Sequence, residues 1–493
     1  MELRYICQRL DIKCPKSLEN IEVEGITSNS KKVKRGYLFV CLSGGKNDGH
    51  HYIDEALMNG ACAAVIENDA YLCQKAILVD STRLFLAMAM NVFCDEPTAK
   101  MKFVGITGTN GKTSTASMLK NIFDEANISC EIIGTLNSSQ YAEKCDDPTV
   151  NFTTPDPEIL YPMLKRMADN GVKFVVMEAS SHALFYEKLA PISFEIGIFT
   201  NLTEDHLDFH RSMEDYFKSK LKLFDACKLG IINTDDEYGK IIINKKYNTK
   251  TCSAFENADY YVKYVEKTID GSKYTLIFKE KELKINCAVP GQFSIANSLY
   301  ACACALELGI DEKIVQSAFD KFTSVEGRFE KFQAPCGLDL SVIIDYAHTP
   351  DALNKLLLEV NSFKREGQRT VLLFGCGGER EKEKRYLMGK IASQNADFVI
   401  ITNDNPRSED PSEIINEILL GFEGEKNFVV IPNRKIAIEF AIASHKAGDI
   451  VLLAGKGHEK YLIDKDGVHP FDERKILENA FKKYRKSKGG YEL

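Results

Sequence analysis

The sequence predicts an α/β protein of three units, with a central P-loop-type, mostly parallel sheet and a C-terminal Rossmann-like domain. Three observations carry this. Met101 to Asn127 reads as strand, Gly-rich turn, then helix. Two long stretches alternate short β-branched runs with helical periodicity, as parallel sheets do. A chain of 493 residues is also too long for one core.

The first unit spans residues 1–98. Ser28-Asn29-Ser30-Lys31-Lys32 is a turn leading into a buried strand, Gly36 to Leu42. A helical pattern at Ile53 to Gly60 precedes strands at Ala63 to Glu67 and Ala76 to Val79. Asp95-Glu96-Pro97-Thr98 interrupts the periodicity and reads as a linker. No catalytic constellation stands out here, so a substrate-docking or merely structural role is expected.

The second unit spans residues 99–333. Lys102 to Thr107 is an apolar strand, and Met118, Leu119, Ile122, Phe123 and Ala126 mark the following helix. Between them lies Gly108-Thr109-Asn110-Gly111-Lys112-Thr113. Backbone N–H groups at a helix start hold phosphate oxygens, Lys112 neutralises them and Thr113 offers a hydroxyl to Mg²⁺. The usual P-loop spacing would need Gly at Ile106, so this is a more compact loop. The alternative is a Gly-rich turn without a ligand; the Lys-Thr pair favours ATP. Strands at Phe174 to Ala179 and Glu195 to Asn201 end in polar runs, Glu178-Ala-Ser180-Ser181-His182 and Asn201 to His210. Ligand sites in such sheets gather at carboxyl ends of strands.

Several readings stay open on spacing alone. Glu178 is either a helix cap or a metal ligand. His206 and His210 stand at i, i+4, but HLDFH lacks the Glu of H-E-x-x-H, so a zinc protease is not indicated. One His meeting Mg²⁺ or a carboxylate, with the other in packing, is equally compatible. Lys218, Lys220 and Lys222 read as a solvated helix face.

The third unit spans residues 334–493. Strands at Val342 to Tyr346, Val371 to Phe374, Phe398 to Thr402, Phe428 to Ile431 and Ile450 to Leu453 alternate with helical stretches, which predicts a doubly wound domain. Four strand ends are loaded with polar groups, ending in Asp345, Gly375 to Arg380, Asn403 to Arg407 and Gly455 to Glu459. Gly-Cys-Gly-Gly at 375–378 resembles a dinucleotide turn but lacks the full G-x-G-x-x-G. Lys482 to Leu493 reads as a solvated tail.

Composition narrows the classes. With 44% hydrophobic and 27% charged residues, the chain is ordinary globular material. A net charge of −8 argues against a nucleic-acid or anionic-membrane partner. The opening MELRYICQRLDIKC has no apolar signal-peptide core, and the longest apolar run, Leu84 to Met90, is too short to span a bilayer. Fifteen scattered cysteines without a C-x-x-C pair suggest free thiols in a reducing cytoplasm. The expectation is a cytoplasmic monomer acting on small molecules.

Nine motifs in order resemble the Mur ligases of peptidoglycan synthesis. They are GTNGKT at 108–113, FTTPDP at 152–157, EASSH at 178–182, TNLTEDHLDFH at 200–210, EGRFE at 326–330, DYAHTPD at 345–351, FGCGGER at 374–380, DNPR at 404–407 and GKGHE at 455–459. The resemblance spans all three units and implies the three-domain Mur ligase architecture. It implies an ATP-dependent amide ligase that adds meso-diaminopimelate to the D-Glu of UDP-MurNAc-L-Ala-D-Glu through an acyl phosphate. It also assigns roles. Gly108 to Thr113, Asn297, Arg328 and Asp345 would bind ATP, with Lys112 on its phosphates. Thr113, Glu178, His206 and Lys220 would hold Mg²⁺, Lys220 as a CO₂-derived carbamate; a plain lysine cation would repel the metal. This reverses the solvated-face reading of Lys220. Ser30, Thr153, Thr154, Ser180, Tyr186 and Lys188 would bind the UDP-MurNAc-dipeptide. Tyr186 and Lys188 stand where some relatives have Gln and Arg, and Lys lacks the bidentate fork. Ser294 and Tyr386 replace a usual Asn and Pro. Arg385, Asp404, Asn405, Arg407, Gly455 and Glu459 would bind diaminopimelate, the arginines on its far carboxylate and Glu459 on its ammonium.

The alternatives are an L-lysine-adding or folylpolyglutamate-type ligase of the same fold, a nucleotide-binding regulator without catalysis, and, weakest, a dehydrogenase.

Overall fold

The computed structural model describes residues 1–44, 47–136, 153–207, 209–335, 338–424 and 427–487. After α1 (Leu3–Arg9), a four-stranded parallel sheet forms from β1 (Gly25–Thr27), β2 (Tyr37–Val40), β3 (Ala63–Ile66) and β4 (Ala76–Leu78), with α2 (Ile53–Met58) between β2 and β3. In α3 (Thr82–Phe93), Ser81 Oγ caps the start by accepting from Leu84 N at 3.1 Å. Its buried stripe, Phe85, Leu86, Ala89 and Met90, packs toward the Pro157–Asp169 helix of the central unit, so the first core continues into the second.

The central sheet has nine strands. They are β5 (Lys102–Thr107), β6 (Cys130–Ile133), β7 (Phe174–Glu178), β8 (Phe194–Phe199), β9 (Cys227–Asn233), β10 (Thr249–Ser253), β11 (Tyr260–Thr268), β12 (Gly271–Phe278) and β13 (Lys281–Cys287), in the order β13-β12-β11-β10-β9-β8-β5-β7-β6. The sheet is parallel from β6 to β11, and β11-β12-β13 add an antiparallel edge that the sequence reading did not anticipate. The helices are α4 (Lys112–Glu125), α5 (Pro157–Asp169), α6 (Ser181–Phe185), α7 (Met213–Asp225), α8 (Glu237–Ile243), α9 (Gln292–Glu307) and α10 (Glu312–Lys321). Gly111 gives α4 no side-chain cap. Leu119, Ile122 and Phe123, all fully buried, hold the helix instead, at roughly 1.5–3 kcal/mol each.

The third sheet runs β14-β15-β19-β16-β17-β18. Its strands are β14 (Glu330–Phe332), β15 (Leu340–Asp345), β16 (Thr370–Phe374), β17 (Phe398–Ile401), β18 (Phe428–Val430) and β19 (Asp449–Ala454). Helices α11 (Pro350–Phe363), α12 (Glu383–Asn395) and α13 (Pro411–Leu419) pack on one face, with α14 (Arg434–Ala443) and α15 (Glu473–Ser487) on the other, giving a doubly wound layer structure. Three details differ from expectation. The strand β14, assigned by sequence to the second unit, pairs antiparallel with β15 in the third sheet. A hairpin, β20 (Tyr461–Asp464) with β21 (Gly467–Pro470), follows β19. Lys482 to Ser487 continue α15 instead of starting a tail, because Leu477, Ala480 and Phe481 pack that helix down; residues 488–493 lie outside the described residues. Among the described residues, no helix is long and apolar enough to cross a membrane.

Candidate active site

The loop after β5 is shaped by close approach. A Cβ on Gly108 (φ 148°) would lie 1.9 Å from Thr200 Oγ1, and one on Gly111 (φ 88°) 2.3 Å from Asn297 Oδ1, so only glycine fits. The end of β8 braces the turn: Thr200 Oγ1 donates to Asn110 O at 2.6 Å, and Asn110 N donates to Asn201 Oδ1 at 3.0 Å. Thr109 to Ser114 line a cleft of about 380 Å³ between the second and third units. The uncapped first turn of α4 therefore offers its N–H groups to that cleft.

Two lysines converge on one carbonyl. Lys112 Nζ donates to Gly108 O at 2.8 Å, and Lys220 Nζ donates to the same oxygen at 2.9 Å. Lys220 is buried, over the Tyr216 ring at 4.4 Å. Burial, then the charge of Lys112, pushes its ammonium well below the usual lysine range. Burial likewise lowers Lys112, against the pull of Glu178 and Asp205. The solvated-face reading of residue 220 is thus overturned: Lys218 pairs with Glu214 in solvent, whereas Lys220 faces inward one turn after Tyr216. Tyr216 also shares a hydrogen bond with Thr109 Oγ1 at 3.2 Å, tying α7 to the loop.

Glu178, at the end of β7, is buried and accepts from Thr113 Oγ1 (3.1 Å), Thr135 N (2.9 Å) and Thr135 Oγ1 (3.1 Å). Arg328 Nη2 reaches Thr113 Oγ1 at 3.5 Å, and its guanidinium lies 4.5 Å over the Tyr346 ring. Its buried Nε has no partner among the described residues. His206, with left-handed φ 56°, stands beside Asp205, Nε2 to Oδ2 3.5 Å. Although 48% of its side chain is exposed, desolvation of the ring in the cleft lowers its imidazole to about 4 despite Asp205, so it is neutral at pH 7 and able to ligate a cation. His210 takes the packing role: it is buried, bonded to Ser181 Oγ at 3.0 Å and tilted on Tyr216. Of the four expected metal ligands, Thr113 and Glu178 meet directly, and their oxygens together with a neutral imidazole are donor types that would suit a hard dication.

The expected sugar-nucleotide residues divide. Thr153 is on the cleft wall, 3.3 Å from Thr135 Oγ1. Thr154 Oγ1 donates to Glu178 O at 2.7 Å and meets Ser180 Oγ at 3.1 Å; Ser180 in turn caps α6. Tyr186 lies under the Arg83 guanidinium at 4.0 Å, and Lys188 pairs with Asp156 at 2.6 Å. Ser30 sits in the first unit, donating to Glu55 Oε2 at 3.1 Å, away from the cleft wall. Phe152 and Asp208 of the quoted motifs lie outside the described residues.

Across the cleft stand Asp404, Asn405, Arg407, Gly455 and Glu459. Arg407 Nη1 donates to Gly378 O at 2.6 Å, its one hydrogen-bonded guanidinium nitrogen among the described residues. Gly375 and Gly378 are there for packing: a Cβ would come within 2.1 Å of Thr402 O and 1.9 Å of Pro406 O, respectively. The dinucleotide-turn likeness is therefore a matter of loop stacking. Arg385 stands beside these residues with carboxylate partners of its own. It lines the cleft, but its buried guanidinium is held by Glu409 and Glu417 (Nη1, 2.8 and 2.7 Å) and by Glu409 and Gly377 O (Nη2, 2.9 and 3.2 Å), which leaves its Nε without a partner among the described residues. Asn297 Oδ1 meets Thr115 Oγ1 at 3.4 Å beneath the loop. Asp345 accepts from Phe329 N (2.6 Å) and Ala347 N (2.8 Å), which fixes the crossover between units; burial raises its carboxyl.

Sequence reasoning missed three groups. Thr135 carried no motif. Asp205 and Lys384 form a cross-cleft ion pair at 2.9 Å, and Asp351 of α11 accepts from Asn110 and Thr203. Burial acts to raise Asp205, but His206 and Lys384 hold it well below the carboxylate range. A charged position on each side of a cleft was the available signal, but single residues do not announce a partner some 180 positions away.

The sequence matches family descriptions for a Mur ligase family catalytic domain (residues 22–94), a Mur ligase middle domain (106–305) and a Mur ligase glutamate ligase domain (327–457). It is 41% identical over 463 residues to the UDP-N-acetylmuramoyl-L-alanyl-D-glutamate–2,6-diaminopimelate ligase of Caldanaerobacter subterraneus subsp. tengcongensis, covering 93% of this chain and 94% of that one. It is 40% identical over 491 residues to the enzyme of the same name from Clostridioides difficile, covering 98% and 100%. A solved structure of a ligase of that name superposes with TM-score 0.70 at 27% identity, covering 98% and 99%. The MurF ligase of Thermotoga maritima in complex with ADP shares the fold, with TM-score 0.60 at 18% identity over 96% and 100%.

Proposed function

The chain belongs to the Mur ligase family, and from that premise we propose that it adds meso-diaminopimelate to the D-Glu of UDP-MurNAc-L-Ala-D-Glu at the expense of ATP. A free carboxylate is unreactive toward amines. Transfer of the ATP γ-phosphoryl to it gives an acyl phosphate; the amine attacks, and the tetrahedral intermediate expels phosphate. Such chemistry rests on positioning and charge neutralisation.

In this reading residues 1–98 dock the UDP-sugar, the central unit holds ATP, and the third unit holds the amino acid. The N–H groups of the 108–113 loop and Lys112 bind phosphates, with Arg328 reaching from the crossover. Asn297 and Asp345 border the nucleotide. Thr113, Glu178, His206 and a carbamate on Lys220 would hold Mg²⁺, which would supply neutralisation of phosphate charge. The carbamate forms when neutral Lys220 adds CO₂ and releases one proton. Ser30, Thr153, Thr154, Ser180, Tyr186 and Lys188 meet the nucleotide sugar. The chain works as a monomer in the cytoplasm, a compartment in keeping with its free described thiols.

The observation that best supports this reading is a single cleft with the 108–113 loop, Glu178 and Arg328 on one side and Asp404, Asn405, Arg407 and Glu459 on the other. One wall suits phosphate; the other suits a zwitterion. Arg407, with guanidinium nitrogens to spare, favours diaminopimelate over L-lysine, because lysine brings it no carboxylate. Substrate carrying ¹⁸O in the D-Glu γ-carboxylate tests the route. An acyl phosphate delivers one ¹⁸O to the released phosphate; unlabelled phosphate would rule it out.

A further inference from the structure

Lys456 is not on the cleft wall but directly behind it, fully buried. Its ammonium donates to Asn405 Oδ1 at 2.8 Å and to Tyr461 O at 2.9 Å. It also lies 3.4 Å from Glu459 Oε2 and 3.6 Å from Asp404 Oδ1, against the rings of Phe471 (5.7 Å) and Tyr461 (5.9 Å). A buried ammonium is costly unless paired, and this one is paired on every polar side.

The pairing orients its neighbours. Asn405 Oδ1 accepts from both Lys456 and Ile463 N (3.0 Å), so its amide cannot turn over, and Nδ2 must donate to Glu459 Oε2 at 2.9 Å. Glu459 Oε2 is thereby filled. Oε1 has only the Tyr346 hydroxyl at a long 3.5 Å among the described residues, and keeps capacity for a ligand donor. Charge follows the same logic. Asp404 and Glu459 together carry −2 when ionised; Lys456 cancels one, leaving a single negative charge for one arriving ammonium.

We propose that Lys456 is a positioning residue that sets Asn405 and Glu459 to receive an ammonium group of the incoming amino acid. The inference rests on the third unit being the amino-acid site. Burial and Asp404 raise the Glu459 carboxyl, and Lys456 and Asn405 oppose them, so removing Lys456 also weakens the ionised form the ligand needs.

The test is steady-state kinetics of Lys456→Met and Lys456→Arg in the full-length enzyme, varying each substrate in turn. The expected result is a KM for diaminopimelate raised about tenfold or more in K456M, with KM for ATP and UDP-MurNAc-L-Ala-D-Glu within about twofold of wild type. K456R, which keeps the charge, should recover part of the loss. Unchanged diaminopimelate KM in K456M, or an equal rise for all three substrates, would overturn the proposal. Should K456M fail to fold, as judged by lost ATP binding, K456R alone decides: a rise confined to the amino acid supports the inference and a uniform one rejects it. Wild-type enzyme that turns over no amino acid would instead refute the ligase reading itself.

Discussion

Lys112 and Lys220 donate to one carbonyl oxygen, that of Gly108, at 2.8 and 2.9 Å. Two ammonium groups sharing a single acceptor repel each other, and the buried one, Lys220, gives up its proton more readily. A neutral amine is the form that adds CO₂. The carbonyl of Gly108, in the loop proposed to hold phosphate, thus also draws in the lysine proposed to complete a metal site.

Lys220→Met should separate function from stability. The substitution removes a buried amine whose charged form burial disfavours, at the cost of its one hydrogen bond to Gly108 O. Melting of the nucleotide-free protein should therefore rise or stay level, while ligase activity falls by about 100-fold or more. ¹³C NMR under ¹³CO₂ should show a carbamate resonance in wild type that is missing in the variant. A clear drop in melting temperature would mean that Lys220 is a structural cation.

Glu178→Gln keeps the shape and one acceptor oxygen but removes the charge beside Thr113. Turnover should fall by roughly two to three powers of ten, corresponding to about 3–4 kcal/mol of lost charge stabilisation. The Mg²⁺ concentration for half-maximal rate should rise. Equal Mg²⁺ dependence in both enzymes would make Glu178 a loop brace for Thr135 and nothing more.

His206 gives a pH signature. Its folded imidazole titrates at about 4, below the ordinary value of 6.5. Between these values the unfolded chain binds a proton that the folded chain refuses, so stability falls as pH drops from 6.5 toward 4. His206→Gln should flatten that part of the stability curve. The amplitude stays below that of a fully buried group because the side chain is 48% exposed. An unchanged slope would place the acid sensitivity elsewhere.

Arg407→Ala should raise KM for diaminopimelate by about 100-fold and leave ATP KM unaltered. The same substitution at Arg385 should act differently. Its partners would lose the shared guanidinium, Glu409 keeping only Glu379 N and Glu417 only Lys382 among the described residues, so lowered thermal stability should accompany any loss of affinity.

Much of the site was legible because its residues cluster at strand ends, where Gly, Thr and charged groups break the apolar runs. Lys220 was misread from spacing because three alternating lysines resemble a solvated face. The apolar stripe Tyr216, Phe217, Leu223 and Phe224 runs through its position, and that periodicity was the signal to follow. The commitment of Arg385 to Glu409 and Glu417 was not legible, since pairing across 24 and 32 residues depends on how α12, α13 and the loop after β17 stack. The antiparallel edge β11–β13 likewise depends on turns at Asp270-Gly271 and Lys279-Glu280 that carried no chemistry to attract notice.

The most direct measurement is phosphate release by the purified protein with ATP, Mg²⁺ and UDP-MurNAc-L-Ala-D-Glu, comparing meso-diaminopimelate with L-lysine. A diaminopimelate ligase releases phosphate with the first and at most about a hundredth as fast with the second. Similar rates with both would contradict the role given to Arg407, and no release with either would contradict the ligase assignment.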